Sequence, residues 1–136
     1  MQIKKAILPP KRSTLETKLW KIVSKVVRLS HADSNGLVTC ISCGKIIHWT
    51  ESDAGHYITR RDKRFKYDMS NIFPQCKYCN RFLEGNKGLY RKHLVEKIGE
   101  QRVLMLESKM QTHKISNIEL EILIKEYTEK LRGLNG

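Results

Sequence analysis

Cys40-Ile41-Ser42-Cys43-Gly44 and, after the long segment 45–75, Cys76-Lys77-Tyr78-Cys79-Asn80 decide how this chain folds. Each CxxC can place two thiolates on one tetrahedral ion from a single turn, and Gly44 permits a tight knuckle after the first pair. Four thiolates (Cys40, Cys43, Cys76, Cys79) suit a structural Zn²⁺, although an iron site of the rubredoxin kind shares the ligand set and spacing alone does not exclude it. Two complete pairs argue against merely buried cysteines, and no thioredoxin-like βαβ setting surrounds either CxxC. Closing such a site contributes on the order of 10 kcal/mol to folding. That matters here, because an apolar share of 40% with 7% aromatic residues predicts a thin core. A zinc held by four protein ligands has no open position, so it cannot itself carry out hydrolysis.

Working outward, Leu37-Val38-Thr39 enters the first knuckle and Lys45-Ile46-Ile47-His48-Trp49 leaves it, which predicts strand, metal knuckle and return strand. Asp33-Ser34-Asn35-Gly36 precedes them as a turn, with Asn-Gly expected to supply the positive φ of a tight hairpin. A further strand is expected around Gly55-His56-Tyr57-Ile58-Thr59, then a basic loop to Asn71, then a short helix opened by Cys76–Asn80. Ser13-Thr14-Leu15-Glu16 is a capping-box pattern followed by Leu19, Ile22, Val23, Val26, Val27 and Leu29, predicting a helix over 13–30. Helices are also predicted over 87–98, stopped by Gly99, over 100–110, and from a second capping box at Ser116–Glu119 to about residue 131. The expected fold class is α+β, divided into a basic flexible arm (1–12), a zinc-stapled core with its N-terminal helix (13–99) and a C-terminal helical extension (100–136).

A formal net charge of +12 is unevenly placed. Residues 1–30 hold eight Lys/Arg against Glu16, and residues 57–92 hold ten against Asp62, Asp68 and Glu84. Two basic blocks beside a balanced remainder point to a polyanion partner. Solvated helix faces explain scattered lysines, but they explain the run Arg60, Arg61, Lys63, Arg64, Lys66 less well. No stretch approaches the roughly 18 apolar residues of a membrane span. The N-terminus is too short and proline-broken for a signal peptide, so a reducing cytoplasmic setting is the expectation.

The segment between the cysteine pairs exceeds the spacer of about 15–20 residues in a simple zinc ribbon, and it gathers Asp53, His56, Asp68 and Asn71. The order CxxCG, a His on a strand, Asn before the second CxxC and Asn80 after it resembles the HNH (ββα-metal) nucleases. More narrowly, Asp53-Ala-Gly-His56-Tyr57, Asn71-Ile-x-x-Gln75-Cys76-x-x-Cys79-Asn80 and Gly85-Asn86-x-x-x-Tyr90-Arg91-x-x-Leu94-x-x-x-Ile98-Gly99 are similar to the NinG (Rap) recombination proteins of lambda-like phages. The resemblance covers residues 40–99. It implies a zinc-stapled ββα-metal core with a β-hairpin and flanking helices, and an endodeoxyribonuclease acting in the host cytoplasm on branched recombination intermediates such as D-loops and Holliday junctions. It also implies a separate catalytic Mg²⁺ or Mn²⁺. His56 would be the general base, Asn71 would orient it across the loop, and Asn80 would reach the metal. Many HNH enzymes carry an Asp ligand where this chain has Gly55; Asp53, on the same strand face as Gly55, is the candidate carboxylate.

Arg60, Arg61, Lys63, Arg64 and Lys66 would lie beside the scissile phosphate, with Lys87 and Arg91 as a second backbone clamp. Taken singly, each residue has a plainer reading. His56 can be a satisfied buried histidine, Asn71 a turn residue, Asn80 a cap on the knuckle, and Tyr90 core packing against Leu94. His31, His93 and His113 read as surface residues. A branched substrate favours a two-fold homodimer, with the helices 13–30 and 115–131 available for that interface or for packing on their own domain. The alternative function is a non-catalytic zinc-finger protein that binds nucleic acid, or a nuclease fold whose metal site has decayed.

Overall fold

The computed structural model describes residues 8–59, 65–108 and 114–135. Expectations that fall on residues 1–7, on Arg60, Arg61, Lys63 and Arg64, on 109–110 and on His113 lie outside the described residues. Helix α1 spans Arg12–Ser30, strands β1 and β2 are Leu37–Thr39 and Ile46–His48, and strands β3 and β4 are Ser52–His56 and Ile72–Cys76. A π-helical turn, Tyr78–Phe82, follows the last cysteine pair, and then come α2 (Lys87–Ile98), α3 (Glu100–Glu107) and α4 (Asn117–Asn135). The molecule is α+β, with two separate two-stranded antiparallel sheets among the described residues.

The β3–β4 hairpin is a septum between two apolar clusters. Strand alternation puts Ala54 and Ile72 on one face, where they join Leu15, Leu19, Val23, Val26 and Val27 of α1 and Leu120 and Tyr127 of α4. Phe73 on the other face joins Ile41, Tyr57, Tyr90, Leu94, Val103 and Leu106. The two long terminal helices thus bury their apolar stripes against each other and the hairpin, the second of the two arrangements that their sequences allowed.

Several local expectations are corrected. Ser13 does not cap α1: the helix begins at Arg12 behind Lys11, which makes no side-chain cap. Glu16 instead pairs with Arg12 at 2.9 Å, the i,i+4 partner a capping role would have left unused. At the second pattern Ser116 Oγ does accept from the Glu119 amide, at 3.1 Å. Asn35-Gly36 does not close a hairpin. Asp33 Oδ1 accepts from the amides of Asn35 and Leu37, both at 2.9 Å, and only Gly36 takes a positive φ, so the turn joins α1 to β1. The β1–β2 hairpin is closed by the cysteine knuckle itself, through Cys40 N–H to the Lys45 carbonyl at 2.8 Å.

The strand expected around 55–59 runs earlier, from Ser52 to His56, and its partner Ile72–Cys76, which contains Pro74, was not among the expected elements. The register accommodates the proline. Pro74 stands opposite Ala54, and its carbonyl accepts from Ile41 N–H at 3.0 Å on the far side from β3. A residue's N–H and C=O point the same way in an antiparallel strand, so the missing proline donor faces outward and β3 loses no ladder bond.

Candidate metal centre and nucleic-acid interface

The two knuckles bring the ligand atoms of Cys40, Cys43, Cys76 and Cys79 within 4.8 Å of one another. Cys43 and Cys76 sulfurs stand 3.7 Å apart, close to the spacing of about 3.8 Å that a tetrahedral zinc with Zn–S bonds of about 2.3 Å requires. Backbone amides of Cys43 and Cys79 point at the sulfurs of Cys40 and Cys76, at 3.5 and 3.4 Å, as donors that favour thiolate. Burial pushes the Cys79 thiol up to about 12 and the Cys76 thiol up as well. At Cys40 burial acts in the same direction, but surrounding backbone donors outweigh it and bring the thiol down to about 7. Four clustered thiolates repel one another, and a divalent cation at their centre removes that cost. The donor set fits a structural metal, with zinc the ion such a thiolate cage favours.

A second constellation is built where β3 meets the π-helical turn. Asp53 accepts at Oδ2 from Asn80 Nδ2 at 2.9 Å, and Arg81 forks onto the same carboxylate at 2.9 and 3.0 Å. These residues line a polar cleft of about 330 Å³ together with Trp20, Ser24 and Arg28 of α1. Arg28 lies over the Trp49 ring at 5.3 Å; burial lowers its pKa and the Asp53 charge opposes that shift. The Asn80 amide nitrogen, not its oxygen, faces the carboxylate, so Asp53 is the oxygen donor of this pair. Arg81 engages both carboxylate oxygens, so a cation binding at Asp53 displaces it or shares the carboxylate with it.

His56 lies at the end of β3 and is mostly buried. Its Nε2 is 2.8 Å from the Lys66 carbonyl, which can only accept, so this nitrogen carries a proton. The imidazole stacks on Trp20 with centroids 4.8 Å apart and planes 25° apart. Trp20 is therefore the wall that His56 and the polar cleft share. His56 and Asp53 stand on opposite faces of the regular strand, and the ring of Trp20, not a direct contact, connects the imidazole to the Asp53–Asn80 pair.

Asn71 is fully buried. Its Oδ1 accepts from Ile58 N–H at 2.8 Å while its Nδ2 donates to the carbonyls of Ile58 and Phe65 at 3.0 and 3.1 Å. One side chain thus ties together both flanks of the segment 60–64. Gly55 has a physical reason: a Cβ there would stand 1.9 Å from Gln75 Oε1 and 2.9 Å from its Cδ. Gln75 is fully buried and donates through Nε2 to Ser42 Oγ at 2.9 Å and to the Gly85 carbonyl, bracing the zinc knuckles. An aspartate at position 55 is excluded by this glutamine.

The proposed phosphate clamp is largely engaged within the fold. Lys87 donates to the carbonyls of His56 and Tyr57, so it holds the end of β3, and burial lowers its pKa. Arg91 forks onto Glu107 at 2.9 and 3.1 Å. Lys66 is 3.9 Å from Glu16. Tyr90 is fully buried, its hydroxyl donating to the Gly55 carbonyl at 2.7 Å. His31 sits against Phe73, and His93 is half-buried with Nδ1 2.7 Å from the Ile41 carbonyl. Sequence reasoning missed Trp20, Arg28 and Arg81. Only Arg81, directly after Asn80, had a local signal.

The chain matches, over residues 1–136, the family model described as the bacteriophage lambda NinG protein. It is 33% identical over 135 residues to protein ninG of Salmonella phage P22, covering 98% of this chain and 64% of that protein. It is 32% identical to protein ninG of Escherichia phage lambda and of Escherichia phage 933W, covering all of this chain and 64% and 65% of theirs. The chain thus spans slightly less than two thirds of the length of these relatives. No solved structure matches it. Among the described residues no helix is long and apolar enough to cross a membrane. With the family model spanning the whole chain, this protein belongs to the NinG family of bacteriophage proteins.

Proposed function

We propose that this chain is an HNH-type, metal-dependent endodeoxyribonuclease acting on branched DNA such as D-loops and Holliday junctions. The observation that carries the reading is the direct contact of Asp53 with Asn80, in a polar cleft bounded by the Trp20 ring on which His56 stacks. The run β3, β4, helical turn, α2 supplies the strand–strand–helix order of that nuclease class, and the sulfur cage anchors its turn.

In this reading Asp53 and Asn80 would hold a Mg²⁺ or Mn²⁺, which would supply positive charge for phosphodiester cleavage. His56, its Nε2 held by the Lys66 carbonyl, is the group that takes a proton from water. The water oxygen bonds to phosphorus, the bond to the 3′ oxygen breaks, and that oxygen takes a proton from solvent water, giving 5′-phosphate and 3′-hydroxyl ends. Arg28 and Arg81 face the phosphate, and Asn71 and Lys87 keep the end of β3 in place.

The test is incubation of wild type, His56→Ala, Asp53→Asn and Asn80→Ala with labelled junction and linear duplex, each with Mg²⁺, Mn²⁺ or EDTA. Metal-dependent cutting lost in all three variants, with DNA binding kept, is the expected result. Cutting that survives His56→Ala removes the base. The competing reading, a zinc-stapled binding module without catalysis, draws on the guanidinium fork on Asp53 and the burial of His56. Binding without cutting in every metal would favour it.

A further inference from the structure

The π-helical turn after the second cysteine pair has an inner and an outer side. Cys79 and Asn80 face inward, to the sulfur cage and to Asp53. Lys77, Tyr78 and Phe82 face solvent, with Tyr78 63% and Phe82 74% exposed, while Arg81 is exposed but reaches back to Asp53. The two rings lie 6.0 Å apart between centroids with planes 28° apart, so they form one near-continuous aromatic surface. Two basic–aromatic pairs, Lys77-Tyr78 and Arg81-Phe82, repeat four residues apart, which brings ring beside ring. Large rings left in water on this turn contribute little apolar burial to the fold. Leu83, the next residue, is also exposed.

We propose that Tyr78 and Phe82 form a stacking platform for unpaired nucleobases, and that this platform gives the chain its preference for branched over continuous duplex DNA. Charge selects this occupant. Lys77 and Arg81 flank the rings, and residues 57–92, which include them, hold ten Lys/Arg against three acids. An unpaired strand offers bases to the rings and phosphates to Lys77, whereas a duplex buries its base faces internally and offers only phosphates. Stacking on such rings is sequence-tolerant, because every base has a π-face. Cys79 and Asn80 lie between the two basic–aromatic pairs, and Asn80 contacts Asp53 at 2.9 Å, which sets the platform on the same turn as the Asp53 cleft. The inference rests on the nucleic-acid part of the proposed function and not on hydrolysis.

The experiment measures affinity by anisotropy, without added Mg²⁺ or Mn²⁺, for a forked DNA with unpaired arms and for a linear duplex of equal length. A 2-aminopurine at the first unpaired position reports stacking by quenching. The Tyr78→Ala/Phe82→Ala protein should lose roughly tenfold or more on the fork, change by less than about twofold on the duplex, where phosphate contacts dominate, and abolish the quenching. The swap Tyr78→Phe/Phe82→Tyr should restore both. One zinc per chain and an unchanged circular dichroism spectrum establish that the variants are folded. Equal losses on both DNAs, or none, overturn the platform. So does a loss of self-association with DNA binding intact, which would make the patch an interface between copies. A wild type that binds DNA but cuts nothing would remove the nuclease reading and leave this binding difference standing.

Discussion

The side-chain amide of Asn71 pairs with the backbone of Ile58 as a peptide group would, accepting from its N–H at 2.8 Å and donating to its carbonyl at 3.0 Å. Because the Asn71 carbonyl also accepts from Tyr57 N–H at 2.9 Å, the β3–β4 ladder is prolonged by a residue that is not in the strand. Asn71→Ala leaves the Ile58 peptide without its partner and should cost about 1–3 kcal/mol. Asn71→Asp should cost more at neutral pH, since it turns a carboxylate toward the two carbonyls of Ile58 and Phe65. Urea denaturation checks both, and equal stability of Ala and Asp variants would contradict the geometry.

Gly55 and Gln75 form a size-matched pair. Gly55→Ala places a methyl within 1.9 Å of a buried amide oxygen, and overpacking of this kind costs about 1–3 kcal/mol. Gln75→Ala on its own removes the braces to Ser42 and Gly85. The double variant should be more stable than the sum of the two single losses predicts, a coupling a double-mutant cycle measures directly. Strict additivity would mean the clash is relieved elsewhere.

In the proposed function Arg81 and a divalent cation would meet the same carboxylate. The ion pair is largely exposed on the arginine side, 58%, so its strength is that of a surface pair, about 0.2–1 kcal/mol. Arg81→Gln should therefore tighten Mn²⁺ binding by roughly up to fivefold, and Asp53→Asn should remove it, as read by electron paramagnetic resonance of free Mn²⁺. Unchanged affinity in Arg81→Gln would show that guanidinium and ion do not share the carboxylate.

Glu107 joins α3 to α2 and β3, receiving the Arg91 fork and the Tyr57 hydroxyl. The Arg91 hydrogen bond holds its carboxyl below the usual value of 4.5 even though partial burial opposes that. A depressed carboxylate contributes stability that is full above its unfolded pKa and is lost as pH falls through the folded one. Glu107→Gln should flatten the acid limb of stability below about pH 4.5. The same substitution should bring the Tyr57 phenol down from about 12, where burial and then Glu107 hold it. Tyrosinate absorbance, compared with Tyr57→Phe, reads that shift.

The paired cysteines, the helix over the segment of Leu19 to Val27 and the stop at Gly99 were legible in the linear chain because each rests on local spacing: two ligands per turn, a 3.6-residue period, a positive φ of 88°. β4 was not legible, since whether Pro74 costs a ladder bond depends on which side of the strand its partner lies. The gathering of Asp53 with Asn80, Arg81, Trp20 and Arg28 draws on three elements separated by up to sixty-one positions (Trp20 to Arg81). Only packing α1 across one face of the β3–β4 hairpin could set Trp20 between His56 and that cleft. Likewise Lys87 and Arg91 read as free cations in sequence, and folding commits them to the carbonyls of His56 and Tyr57 and to Glu107. Local pattern specifies elements and metal knuckles; which charges remain available to a ligand is decided by long-range neighbours, because a buried or paired cation is stable only where the fold supplies its acceptor.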